Sequence, residues 1–151
     1  MTLQSVITGL ASVEALIAGL STGQTFDNTP DAIETTLPVC INVVKSGTVA
    51  RSAGEGWRHT THTILAELLC APPGSDLPTG ESVARPYVSK FITKLDTNRS
   101  LAGTCLDSEV TGYEYGEIRL NSGTPGYLGV VFTIEATEEE TGATLFASTS
   151  T

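Results

Sequence analysis

Apolar positions along the first twenty residues fall at three-and-four spacing. Leu3, Val6, Ile7, Leu10, Val13, Leu16, Ile17 and Leu20 would line one face of a helix. Thr2 is a fitting N-cap, and Gly23 sits just past the expected end. Residues 21–35 are polar and turn-rich, with Ser21, Gly23, Asn28 and Pro30, and one short helical turn is expected around Asp31–Glu34. A connection of that length inside a small domain points to a functional or poorly ordered loop. Beyond it the pattern changes to strands. Leu37–Val44 is continuously apolar and bounded by Lys45-Ser46-Gly47; a second strand is expected over Thr48–Ser52, broken by Gly54-Glu55-Gly56. Trp57–Cys70 follows as a long strand whose second half is apolar on both faces, hence central in a sheet.

Pro72-Pro73-Gly74 ends that strand. Ala84, Tyr87, Val88, Phe91, Ile92 and Leu95 then recur at helical spacing, which predicts a helix from about Val83 to Asp96 with Pro86 in its first turn. Asn98–Gly103 reads as a turn or short helix, and two closing strands are expected over Thr104–Leu120 and Gly126–Thr137. In the last strand Leu128, Val130, Phe132 and Ile134 alternate with Tyr127, Gly129, Thr133 and Glu135, giving one dry and one wet face. The order helix, three strands, helix, two strands predicts a two-layer α+β domain over residues 1–137. Two helices would cover one face of a five-stranded, mostly antiparallel sheet. Residues 138–151, acidic and then small and polar, are expected to be a flexible tail.

Composition narrows the function classes. The chain has 151 residues, 8 Lys and Arg against 17 Asp and Glu, and a net charge of −9. That balance argues against wrapping nucleic acid, which needs clustered cations. The 23 threonines favour strands. No apolar run is long enough to span a bilayer, and the opening stretch carries Glu14 and no early cation, so no secretory leader is expected. Cys40, Cys70 and Cys105 lie thirty or more residues apart, without zinc-knuckle or redox spacing, and read as small buried hydrophobes in a reducing cytosol.

No phosphate-cradling glycine loop and no nucleophile elbow occurs. The two histidines, His59 and His62, are three apart on a strand, so they point to opposite faces and cannot share a metal. Asp107, Glu109 and Glu117 share a parity, and with Glu114 they read as a solvated or inter-subunit strand face. Glu138-Glu139-Glu140 reads as a solvated run. The catalytic, cofactor and metal sets are therefore all empty. Trp57-Arg58 after a flexible glycine pair is a different signal, because Trp and Arg are enriched at protein contacts. Arg51, Glu55, Trp57 and Arg58 form the candidate interface, with a Trp closing the sheet edge as the alternative.

Several segments together carry a likeness. They are the N-terminal helix, the strand ending in Leu37-Pro38, and the long hairpin that follows into Trp57-Arg58-His59-Thr60. Val83–Leu95, Asn98-Arg99-Ser100-Leu101-Ala102-Gly103-Thr104 and Gly126-Tyr127-Leu128-Gly129-Val130-Val131-Phe132 complete the set. In pattern and element order, residues 2–137 resemble the siphophage tail terminator, or tail-to-head joining, family typified by phage lambda. The resemblance implies a small α+β virion protein, made in the host cytoplasm, that assembles as a hexameric ring. Its partners would be its own copies, the major tail tube protein and the head–tail connector, with DNA only as passing cargo and no membrane. It would carry no enzymatic activity. The acidity and the long 21–35 segment depart from the family pattern. The alternatives are another connector or tail-completion protein, a non-viral binding module, or a small hydrolase using His59 or His62 with a carboxylate.

Overall fold

The computed structural model describes residues 2–30, 32–33, 35–52, 54, 56–121 and 125–140. Helix α1 spans Leu3–Glu14. Thr2 caps it, its hydroxyl accepting from the Ser5 amide at 3.1 Å, while the Ser5 hydroxyl accepts from the Thr2 amide at 2.9 Å. The helix ends six residues before the expected Leu20. From Leu16 onward the amides reach back three residues instead of four, to Val13, Glu14 and Ile17. These tighter turns rotate Leu16 off the apolar stripe, leaving it 62 % exposed, while Ile17 and Leu20 stay buried. Gly19, at φ +99°, closes the segment, and a Cβ there would collide with the Tyr87 hydroxyl.

The 21–35 segment holds a 3-10 turn (Thr22–Gln24) and the two-residue strand β1 (Thr25–Phe26), which pairs in parallel with the next strand. The helical turn expected at Asp31–Glu34 falls on Asp31 and Glu34, which lie outside the described residues. Strand β2 (Val39–Ser52) is one element where two were expected. A bulge between Val44 and Ser46 absorbs Lys45, so the Ser46-Gly47 turn signal sits inside an exposed stretch of ladder. Strand β3 (Trp57–Ala71) closes the hairpin.

Helix α2 (Leu77–Asp96) starts six residues earlier than the apolar spacing suggests. Asp76 is the cap, accepting from the Thr79 amide at 3.1 Å, and Pro78 occupies the first turn. Pro86 is therefore inside the helix. It is exposed, so water can take the carbonyl that its missing N–H leaves free.

Strands β4 (Asp107–Ile118) and β5 (Tyr127–Glu140) complete a mixed, mostly antiparallel sheet of order β1-β2-β3-β5-β4, with both helices on one face. The fold is the α+β arrangement expected, although β1 replaces the strand lost when 37–52 fused. The main core lies between the layers, where Phe91 of α2 stacks on Phe132 of β5 at 4.0 Å, surrounded by Val6, Leu10, Ile64 and Leu68. Gly129 permits the closest strand approach: a Cβ there would run into the Leu68 carbonyl. A smaller apolar cluster forms on the opposite face. There Phe26, Ile33 and Leu37 from the long connection cover Val39, Ile41, Leu69 and Ile118. Much of that connection is thus packed onto the sheet. No helix among the described residues is long and apolar enough to cross a membrane.

Candidate interaction surface

The hairpin of β2 and β3 sets the register of the expected interface. Arg51 faces Arg58 across the pair, and Ser52 faces Trp57. Successive residues alternate faces, so both arginines lie on the helix side while Trp57 lies on the other. Trp57 is half-buried and stacks on His59, two residues along, with centroids 4.3 Å apart. Arg51 is exposed. Glu55 lies outside the described residues. Among the three described residues, Arg51 and Arg58 therefore lie on one face and Trp57 on the other.

Arg58 is already occupied. The sheet continues past Thr137, and Glu138, Glu139 and Glu140 pair in β5 with Thr60, His59 and Arg58. The Arg58 guanidinium meets Glu140 at 2.5 Å, His59 Nε2 meets Glu139 at 2.5 Å, and His62 Nε2 lies 3.6 Å from Glu138. A solvated acidic run and the start of a loose tail were expected here. Instead these three carboxylates stand beside Arg58, His59 and His62 of β3; Glu138 is almost fully buried, and its Oε2 and the His62 Nε2 have no hydrogen-bond partner among the described atoms. The apolar alternation of the last strand stops before Glu138-Glu139-Glu140, so only the pairing with Arg58, His59 and Thr60 shows that the strand continues. Residues 141–151 lie outside the described residues.

The acidic face on β4 is also redrawn. The register shift between Val110 and Gly112 inserts one extra residue, which reverses parity beyond it. Asp107 and Glu109 stand opposite Thr137 and Glu135, on the face away from the helices. Glu114, opposite Val131, joins them there, while Glu117, opposite Leu128, turns to the helix side. Tyr113 and Tyr115 also face the helices. Arg99 holds Asp107 through two 2.7 Å bonds, which keeps that carboxyl below its usual range.

A second polar site escaped the sequence reading. Glu14, in the last turn of α1, is fully buried against β2, and Asn42 donates to its Oε1 at 2.7 Å and to the Phe26 carbonyl at 3.1 Å. Glu14 Oε2 and Asn42 Oδ1 have no hydrogen-bond partner among the described atoms. Burial pushes the Glu14 carboxyl up to about 8, against a smaller opposing pull from Asn42 and the Cys40 thiol. Its position four residues after Leu10 and three before Ile17, inside the apolar stripe, was the available clue.

All three cysteines are free and buried, and burial raises each thiol above its ordinary range. No group of three or more metal-ligating side chains converges among the described residues. The cleft between α2 and β4, about 300 Å³, is lined by Glu81, Arg85, Ser89, Tyr113 and Tyr115. Three of these groups are engaged: Arg85 with Glu81 at 2.7 Å, and the Tyr115 hydroxyl with the Leu77 carbonyl at 3.1 Å. No protein-family model matches this chain, and no characterised protein matches it in sequence.

Proposed function

We propose that this chain is a virion structural protein that forms a hexameric ring on the last ring of a phage tail tube. There it would end tube polymerisation and join the tail to the head connector. The observation that carries this reading is the order of elements: helix, hairpin, helix, two strands, built as one two-layer unit with a long exposed hairpin strand. That order is the one on which the resemblance to siphophage tail terminators rests. Two further features support it. The ion pairs Arg58–Glu140, Arg85–Glu81 and Arg99–Asp107 are made within the chain, as suits a protein whose work is contact. A net charge of −9 also disfavours retention of DNA passing along an axial channel.

The test is assembly. The purified chain is mixed with tail-tube protein of the same particle, followed by light scattering and by electron microscopy of tube length. A ring of six copies with tubes of limited length is expected. A chain that stays monomeric while tubes grow without limit overturns the reading.

A further inference from the structure

A β-sheet has two edges, and among the described residues most of both lacks a partner strand. β1 covers only Cys40 and Ile41 of β2. All but the first three of the 14 residues of β2 thus have β3 on one side and no described strand on the other. At the opposite edge, the 12 residues of β4 pair with β5 alone among the described strands. Long exposed edges invite pairing with another chain, and natural sheets usually blunt or cover them. Here each edge carries a single bulge, at Lys45 and at Thr111, and otherwise runs open. Exposed apolar side chains stand on both: Val44 and Val49 on β2, and Tyr113 on β4.

The two edges are sorted by charge. β2 contains Lys45 and Arg51 and no carboxylate, whereas β4 contains Asp107, Glu109, Glu114 and Glu117 and no cation. Asp107 and Glu117 are bridged to Arg99 and Arg119, at the two ends of β4. Lys45, Arg51, Glu109 and Glu114 enter no salt bridge among the described residues. The strand directions also match. Each of the pairs β2–β3, β3–β5 and β5–β4 is antiparallel, so β2 and β4 run in opposite senses. Copies related by rotation about an axis along the strands would therefore meet antiparallel, β4 of one against β2 of the next. Pairing β2 with β2, or β4 with β4, would instead set like charges together.

We propose that β4 of one copy adds to the open edge of β2 in the next, head to tail, so that neighbouring copies share one continuous sheet. This rests on the ring reading above and names its contact. Two different edges meet at every junction, which is the heterologous arrangement that closes into a ring when the rotation allows. Main-chain bonds supply the adhesion. The overall charge of the basic and acidic edges favours β4 against β2, although Arg51 lies on the helix side and Glu109 and Glu114 on the other face.

Two doubly substituted chains test it, Lys45→Glu with Arg51→Glu and Glu109→Lys with Glu114→Lys. All four sites are exposed, so circular dichroism should show both variants folded. Sedimentation is measured at about 0.1 M salt, for the chains alone and with tail-tube protein. Each variant by itself should associate at least tenfold more weakly than the parent chain. An equimolar mixture should regain the parent's assembly, because every junction again opposes unlike charges. Either variant assembling like the parent, or a mixture that stays dispersed, overturns the edge pairing. So does a parent chain that is monomeric under all these conditions. A ring that limits tube length yet ignores both charge reversals keeps the terminator reading and sinks this one. Restoration by mixing while tubes grow without limit does the reverse.

Discussion

Glu14 offers the sharpest physical test of the fold. Its carboxyl is buried beside Asn42, and one acceptor oxygen on each side chain has no hydrogen-bond partner among the described atoms. A buried oxygen without a donor is costly. One proton on the carboxyl removes the buried charge. In the unfolded chain this carboxyl titrates near its ordinary 4.5; in the folded chain burial raises it to about 8. Between those values the native state binds one more proton than the unfolded state, so stability falls as pH rises. The contribution is complete below pH 4.5 and gone above about pH 8. The slope is about 1.4 kcal/mol per pH unit, which amounts to about 4 kcal/mol between pH 5 and pH 8.

Glu14→Gln keeps the volume, offers a donor and an acceptor, and cannot ionise. Urea unfolding at pH 5, 6, 7 and 8 should show the parent chain's midpoint falling by roughly 2 M over that range, given typical urea slopes. The variant should lack that component and overtake the parent at pH 8. Glu67, half-buried and also raised by burial, gives a slope of the same sign, but it is common to both chains and cancels in the difference. The difference also isolates Glu14 from Asp107, whose lowered value acts only at more acid pH. Parallel pH curves for the two chains would refute the assignment of a neutral, proton-bearing Glu14.

Two other substitutions separate packing from contact. Trp57→Ala removes a half-buried ring stacked on His59, so the isolated chain should lose only about 1 kcal/mol, while binding to a neighbour or to the tube weakens. A loss of the 3–5 kcal/mol typical of a core aromatic would make it scaffold instead. Gly129→Ala should be among the most damaging small changes, because the added methyl meets the Leu68 carbonyl within a central strand pair. A thermal melt within 2 °C of the parent would show that the strands can move apart at little cost.

Much of this architecture is legible in apolar spacing, and the failures share a cause. The stripe of α1 and the alternation of β5 survive because each repeats over many residues. What the pattern misses are single insertions. One extra residue at Lys45 merges two expected strands into one, and another at Thr111 moves Glu117 to the other face while leaving Glu109 in place. Parity counted along a strand has no memory of a bulge. The early start of α2 was hidden because Leu77-Pro78-Thr79-Gly80 looks like a loop until Asp76 is seen as its cap. The ladder of Arg58, His59 and His62 against Glu138–Glu140 was hidden for a different reason. Charge runs are usually solvated, and only pairing across 80 residues reveals the partner strand.

That ladder bears on how copies could meet. Of the eight cations, Arg58, Arg85, Arg99 and Arg119 are already held in salt bridges within the chain. Lys90 lies over the Tyr87 ring, on α2 with Lys94. The remaining two, Lys45 and Arg51, stand on one edge strand that has no carboxylate. In a chain of net charge −9, copies repel at long range, and ions screen that repulsion beyond about 8–10 Å at physiological strength. Contacts at hydrogen-bond distance are screened far less. Association then depends on places where local charge reverses the overall sign. The unpaired edge of β2 is such a place, and the strand that matches it in length, direction and charge is β4 of another copy.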